Sequence, residues 1–101
     1  MVTVLSPGKA EFRLFAPDAG GVELCGSFTG WESGAVRMTR SEAGWWSVAL
    51  DLPAGDHEFQ YRLDSGRQWL ADYAAHGVRR SKLGAWVSVV HMPAARRLAA
   101  A

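Results

Sequence analysis

Alternation of apolar and polar residues along most of the chain is the feature that most constrains its fold. The alternation runs through segments 11–14, 22–25, 45–51 and 58–63. Successive side chains of a strand point to opposite faces, so a period of two predicts strands with one face on a core and the other in water. We expect the core to contain the apolar phase of these segments: Phe12, Leu14, Val22, Leu24, Trp46, Val48, Leu50, Phe59, Tyr61 and Leu63.

Turn residues separate the extended segments at the spacing of a small antiparallel β protein. Proline, aspartate and glycine cluster at 17–21, 52–55 and 64–66. The run Trp86–Met92 is nearly continuous in apolar residues, which favours a strand covered on both faces. The fold class predicted is all-β, an antiparallel β-sandwich of immunoglobulin-like type with about seven short strands.

The chain length and the helical pattern at its end predict one domain and a short tail. We assign residues 1–93 to the β-sandwich, because 101 residues suffice for a single core. Residues 94–101 have a helical pattern too short to be stable in isolation, so we expect a flexible tail there.

Composition excludes several classes of partner and environment. The net charge of +1 gives no bulk attraction to a polyanion, so we expect no nucleic-acid partner. The apolar runs are shorter than the roughly 20 residues that a membrane-spanning helix needs, so we expect no membrane contact. Cys25 is the single cysteine and cannot form an internal disulfide, which favours a reduced, cytoplasmic setting.

The polar residues lack the patterns that catalysis or a metal site requires. The acids are scattered over turns and outward strand positions, and nothing in the sequence marks two of them as the carboxylate pair of a glycosidase. Ser27 lacks the second glycine of a nucleophile elbow, and His57, His76 and His91 are not at metal-ligand spacing. We therefore predict that the chain is not an enzyme and that it needs no metal and no cofactor.

The five tryptophans are unusual for so short a chain and carry most of its functional information. Trp46 shares the phase of the core residues, whereas Trp45 has the opposite phase. Trp31 follows a Thr-Gly pair in a loop, and Trp69 follows the turn at 64–66. An indole face suits the apolar C–H face of a sugar ring. From these residues alone, both a carbohydrate site and ordinary core or interface aromatics are open, the second being the more common case.

Two longer motifs resemble the family 48 carbohydrate-binding modules. Segment 22–31 contains Gly-Ser-Phe-Thr-Gly-Trp, and segment 51–61 contains Leu-Pro-Ala-Gly-Asp-His. The likeness continues through 69–72 and 81–84. This family includes the glycogen-binding domain of the AMP-activated protein kinase β subunit and the N-terminal domains of isoamylases and branching enzymes. The resemblance implies an early-set immunoglobulin-like domain that binds α-1,4-glucan such as glycogen, starch or maltodextrin without catalysis.

The resemblance also implies a set of sugar-binding residues. Two tryptophans would grip the glucan, a glutamine would replace the family's lysine, and a leucine would contact a sugar ring. Beside these four residues, we expect Arg62 or Lys82 to add hydrogen bonds, which gives the predicted set Trp31, Gln60, Arg62, Trp69, Lys82 and Leu83. The chain departs from the family where Ala85 and Val87 replace a threonine and an asparagine, which removes two hydrogen-bonding side chains.

A different class of function is compatible with the same fold. The domain would then be an interaction or scaffold module without a sugar site, associated with a kinase or an amylolytic enzyme. Its exposed rings, Trp31, Trp45 and Trp69, would cover the partner protein. A nucleic-acid interface would rest only on the basic segments 79–82 and 96–97, which are more simply explained as solvated faces.

The scattered acids lead to a direct prediction about activity. We expect the isolated chain to release no sugar from glycogen, starch or maltodextrins, as measured by a reducing-sugar assay on the purified protein. Release that disappears when one acid is changed to its amide would contradict the prediction.

Overall fold

Ten strands in two antiparallel sheets form the regular structure of residues 1–81 and 84–94, the part of the chain described by a computed structural model. The strands are β1 (Val2–Ser6), β2 (Lys9–Phe15), β3 (Val22–Gly26), β4 (Val36–Arg37), β5 (Thr39–Arg40), β6 (Trp45–Asp51), β7 (Gly55–Leu63), β8 (Gln68–Leu70), β9 (Gly77–Arg80) and β10 (Trp86–Met92). Seven of these ten have four residues or more, so the predicted sandwich of about seven strands is confirmed.

The helical content of the described residues is limited to three short 3₁₀ segments, Trp31–Gly34, Glu42–Gly44 and Asp64–Gly66. None of the helices in this part of the chain has the length and apolar character needed to cross a membrane. The predicted tail lies outside the described residues from position 95 onward.

The two sheets differ in size and in what they expose. The four-stranded sheet has the order β1-β2-β6-β5, and its central pair places Phe12 opposite Val48 and Leu14 opposite Trp46. The six-stranded sheet has the order β4-β3-β7-β10-β9, with β8 added beside β7. Their facing sides enclose the core, and the outer side of the six-stranded sheet carries the residues of functional interest.

Strand β7 organises the larger sheet because it is long enough to pair with three neighbours. Residues 59–63 pair with β3 along one edge. Along the other edge, residues 55–59 pair with β10 and residues 61–63 pair with β8. Strands β10 and β8 therefore follow one another along the same edge of β7, and the sheet surface is interrupted at their junction.

The core between the sheets is built on aromatic rings. The ring centroid of Phe59 lies 5.0 Å from that of Phe12 and 5.7 Å from that of Tyr61, both in edge-to-face arrangement. Seven of the ten core residues expected from the alternation are buried, and the other three, Leu14, Val48 and Leu50, are half-buried and pack against that core.

Strand β10 agrees only in part with the prediction of a strand covered on both faces. Val87, Ser88 and Val90 are buried and Val89 is half-buried, so both faces are covered in the middle of the strand. Trp86 and His91 are exposed, however, whereas Met92 at the end of the strand is buried, so the cover on the two faces is not continuous along β10.

A buried hydrogen bond ties the segment after β8 to the core. The Tyr61 hydroxyl donates to Asp72 Oδ2 over 2.7 Å, and Asp72 Oδ1 accepts from the Ala74 amide over 2.9 Å. Burial, and then the negative charge of Asp72, raise the pKa of Tyr61 well above its ordinary value. The phenol is therefore neutral in the folded protein.

Two adjacent tryptophans provide a matched test of the core. Trp46 is 6% exposed and donates from Nε1 to the Ala16 carbonyl over 2.9 Å, so Trp46→Ala should lower the free energy of unfolding by about 3–5 kcal/mol. Trp45 lies on the outer face against Phe15 and Arg13, so Trp45→Ala should lower it by only about 1 kcal/mol. Urea unfolding of the two variants measures the difference, and equal losses would contradict the assignment of faces.

The Tyr61–Asp72 bond predicts a pH dependence of stability. Tyr61→Phe leaves the buried carboxylate with one donor fewer and should cost about 1–3 kcal/mol at neutral pH. In the unfolded chain Tyr61 ionises near pH ~10, so its contribution to stability is complete below that pH and declines as the pH rises further. The gap between wild type and Tyr61→Phe should therefore narrow above pH ~10 in unfolding measurements. A gap that widens there would contradict the assignment.

Candidate functional site

An open cleft of about 530 Å³ lies on the outer face of the six-stranded sheet, where the edge of β7 passes from β10 to β8. We call it the tryptophan cleft. It is lined by two aromatic rings, by polar side chains of β7, and by residues of the β9–β10 region: Trp31, Glu32, Glu58, Gln60, Trp69, Arg80, Ser81, Ala85 and Val87.

The Gly-Ser-Phe motif attaches the loop that carries Trp31 to β7. A Cβ atom at Gly26 would lie 2.6 Å from the Glu58 carbonyl oxygen, so only glycine permits this approach. Beside it, the Ser27 amide donates to the Glu58 carbonyl over 2.9 Å, and the Glu58 amide donates to Ser27 Oγ over 3.2 Å. The loop therefore starts from a fixed point on β7.

The two family-like motifs contact each other in the fold. The Phe28 ring stacks on the core ring of Phe12 at 5.8 Å and meets the His57 ring edge-on at 5.8 Å. The His57 ring Nε2 lies 2.7 Å from the Pro53 carbonyl, which ties the Leu-Pro-Ala-Gly-Asp-His turn to β7. The second motif therefore supports the loop of the first and does not line the cleft itself.

Trp31 is held in a backbone conformation that large residues rarely adopt. Its φ is +60°, and it follows Gly30 at φ +72°. The Thr29 hydroxyl accepts from the Gly26 amide and can donate to the Trp31 carbonyl, each over 3.0 Å. A Cβ at Gly34 would collide with the Thr29 carbonyl, so the loop closes tightly on itself. A left-handed residue costs about 1–3 kcal/mol and persists only where its surroundings impose it.

Trp69 is positioned by a row of side chains that crosses three strands. Glu23, Arg62 and Trp69 are cross-strand neighbours on β3, β7 and β8. Arg62 donates to Glu23 Oε1 from Nε over 2.9 Å and from Nη2 over 2.7 Å, and its Cζ lies 5.7 Å from the Trp69 ring centroid. The hydrogen bond to Glu23 raises the pKa of Arg62 above its ordinary value. Trp69 is 37% exposed, with its ring supported by this fixed cation.

Gln60 and Glu58 form the polar floor of the tryptophan cleft. They are alternate residues of β7 on the outer face, and both line the cleft. Gln60 Nε2 donates to the Trp86 carbonyl over 2.9 Å, which orients the amide, and Glu58 Oε2 lies 2.8 Å from Arg79 Nε. Gln60 is thus fixed through its amide nitrogen and Glu58 through one carboxylate oxygen, which leaves the Gln60 oxygen and the second Glu58 oxygen as acceptors for a ligand.

Of the six sugar-binding residues predicted from the sequence, three line the tryptophan cleft: Trp31, Gln60 and Trp69. Arg62 is absent from the lining and stands beside the Trp69 ring, in contact with Glu23. Lys82 and Leu83 lie outside the described residues, although Ser81 before them lines the cleft. The two departures from the family, Ala85 and Val87, also line it.

Sequence reasoning did not nominate Glu58, Glu32 or Arg80 as cleft residues. Glu58 could have been found, because it shares the outward phase of Gln60 on the same strand. Arg80 comes close through the pairing of β9 with β10, where its Cζ lies 5.0 Å from the Trp86 ring centroid. That pairing has no signal in the local sequence.

Other reactive groups of the described chain do not gather at a centre. Within these residues, no group of three or more His, Cys, Asp or Glu side chains could hold a metal ion. Cys25 is fully buried, and burial raises the pKa of its thiol. Asp56 Oδ1 accepts a hydrogen bond from His91 Nδ1 over 2.6 Å at the far end of β10, and that hydrogen bond lowers the pKa of Asp56.

Known proteins similar to this chain include a 1,4-alpha-glucan branching enzyme and a pullulanase. A 1,4-alpha-glucan branching enzyme from Salinibacter ruber (strain DSM 13855 / M31) is 33% identical over 58 residues, which are 57% of this chain. The structure of apo pullulanase from Paenibacillus barengoltzii matches 86% of this chain with a TM-score of 0.62 and 26% identity. A mutant of that pullulanase, complexed with maltotetraose, matches 86% of the chain with a TM-score of 0.63 and 25% identity.

This chain corresponds to a small part of each of these enzymes, and its sequence matches one particular family. The chain spans 9% of the branching enzyme and 14% of the pullulanase. Residues 2–87 match the sequence profile of carbohydrate-binding module 48, the isoamylase N-terminal domain. The resemblance found in the sequence is thereby confirmed, and the chain belongs to the carbohydrate-binding module 48 family.

Proposed function

We propose that this chain is a noncatalytic module that binds α-1,4-glucan, such as glycogen, starch or maltodextrin, in the tryptophan cleft. The observation that carries the proposal is the convergence of Trp31 and Trp69. They come from a loop and from an edge strand on different parts of the chain, and both line one open cleft with a polar floor.

The two rings would supply most of the binding energy. Each ring offers an apolar face to the C–H face of a glucose unit. Full burial of a ring is worth about 1.5–3 kcal/mol, and ordering of ligand and side chains offsets part of this. The affinity for a short oligosaccharide would therefore be micromolar to millimolar, and a polymer would gain from repeated contacts.

The polar floor would orient the sugar. The Gln60 oxygen and the outer oxygen of Glu58 can accept hydrogen bonds from glucose hydroxyls, and the second N–H of Gln60 can donate one. Glu58 thus joins the proposed contact residues. Because Ala85 and Val87 line the cleft without hydrogen-bonding side-chain groups, recognition would depend on β7 rather than on the β10 end of the cleft.

The sequence predicted a direct sugar contact for Arg62, but the role that we propose for it is to support the Trp69 ring. Because it is bonded twice to Glu23 and lies beside the Trp69 ring, it would hold that ring in position. Direct contact by Lys82 and Leu83 stays a prediction, since both lie outside the described residues.

The comparisons support the ligand class and an accessory role. The similar proteins are named as a glucan branching enzyme and a pullulanase, and one of the pullulanase structures is a complex with maltotetraose. This chain spans about a tenth of such an enzyme, so we propose that it contributes glucan binding and no bond cleavage. The buried, single Cys25 is compatible with the cytoplasmic setting that we propose for it.

The proposal predicts that removing either tryptophan ring of the cleft abolishes glucan binding with little effect on stability. Trp69→Ala should abolish retention on glycogen in affinity electrophoresis while changing the free energy of unfolding by no more than about 0.5 kcal/mol. Trp31→Ala should also abolish retention, at a cost of about 1 kcal/mol because its ring is half-buried. Arg62→Met should weaken retention less than Trp69→Ala does, because the ring is kept and only its support is lost.

Tyr73→Ala is the matched control, because Tyr73 is 73% exposed and is not among the residues that line the cleft, and it should retain wild-type binding. The change in tryptophan fluorescence on titration with β-cyclodextrin gives a second readout, which should be kept in Tyr73→Ala and lost in Trp69→Ala. A folded wild-type protein with no response at millimolar ligand would refute the proposal. The interaction-domain alternative, with a kinase or an amylolytic enzyme as partner, would then be favoured.

A further inference from the structure

A second groove, of about 280 Å³, lies on the other side of β8 from the tryptophan cleft. Successive residues of a strand face opposite sides, and Trp69 lines the cleft while Gln68 and Leu70 line this groove. We call it the Phe15 groove. It is lined by the end of β2, the loop that follows it and the β7–β8 hairpin: Phe15, Ala16, Pro17, Asp18, Ala19, Leu63, Asp64, Gln68 and Leu70.

The Phe15 groove combines an exposed aromatic ring with planar polar groups. Phe15 is 54% exposed, and its ring centroid lies 5.3 Å from that of Trp45, which supports it from the side. The carboxylate of Asp18 and the amide of Gln68 are on exposed residues of the same lining. An aromatic face beside hydrogen-bonding groups of this kind suits a sugar ring.

The walls of the Phe15 groove are fixed relative to the cleft. Asp64 Oδ1 accepts from the Gly20 amide over 2.7 Å and from the Gly21 amide over 3.2 Å. These bonds hold the loop after β2 against the hairpin that carries β8. The Phe15 groove and the tryptophan cleft therefore share one wall, a strand three residues long.

Strand β8 is an edge that a ligand can cross. It pairs with β7 alone among the described strands, and both Gln68 and Trp69 are exposed. The unpaired N–H and C=O groups of an edge strand are available for hydrogen bonds. A chain of linked glucose units that leaves the Trp69 ring thus meets a polar rim and then the Phe15 ring.

We propose that the Phe15 groove is a second subsite for the same α-glucan chain, reached across β8 by oligosaccharides too long for the tryptophan cleft. This inference rests on the proposed function, because the chain must first be held at Trp69. It makes binding depend on ligand length, and it requires that one long oligosaccharide occupies both subsites.

Calorimetric titration with a series of linear maltooligosaccharides tests the inference. Wild-type affinity should keep rising from maltotriose to maltodecaose, with one ligand per chain throughout. Phe15→Ala should leave maltotriose binding unchanged and lower the affinity for maltodecaose about fivefold to tenfold. Gln68→Ala, which leaves the Phe15–Trp45 contact intact, should act in the same direction, and Tyr73→Ala is the control because Tyr73 is 73% exposed and lines neither subsite.

The outcomes separate this inference from the proposed function. Binding of maltotriose and maltodecaose with equal affinity by the wild type would overturn the second subsite alone. Two maltodecaose molecules per chain, or equal weakening of both ligands by Phe15→Ala and Gln68→Ala, would overturn it as well. Absence of binding at every length in the folded wild type would overturn both proposals.

Discussion

The site depends on one constraint of sheet geometry, the length of β7. Nine residues are enough for this strand to pair with β10 and then with β8 along a single edge. Because two separate strands follow one another along this edge, the sheet surface has a break that a single long neighbour would have filled. The tryptophan cleft occupies this break, and Gln60 bridges it by donating to the Trp86 carbonyl.

Rigid support distinguishes the two tryptophans of the cleft from ordinary surface aromatics. Trp31 is placed by a loop in which glycine is required at positions 26 and 34 and in which the tryptophan itself is left-handed. Trp69 is placed by the cation of Arg62, which Glu23 holds in turn. Because both rings are already oriented in the unliganded protein, less of the stacking energy of the proposed sugar contact would be offset by the entropy lost on ordering side chains.

The side chains around the tryptophan cleft thus divide into those that line it and those that hold the lining elements in place. The hydrogen bond from Tyr61 to Asp72 ties the segment after β8 to the core. The hydrogen bond from the Gly20 amide to Asp64 ties the β7–β8 hairpin to the loop after β2. These bonds involve side chains that do not reach the cleft. The short strand β8 would otherwise be a weakly held edge, since it has three residues and one paired neighbour among the described strands.

The local sequence by itself determined the long strands, their buried faces and the family. Alternation identified Phe59 and Tyr61 as core residues because a strand has a period of two, and the Gly-Ser-Phe and Leu-Pro-Ala-Gly-Asp-His motifs together carried the resemblance to the family. Only the tertiary structure decided which outward residues share a surface. Arg62 and Gln60 have the same phase, yet one supports the Trp69 ring and the other lines the cleft. That difference, and the approach of Arg80 and Phe15 to either side of β8, arises from strand pairing between distant segments, which local patterns do not encode.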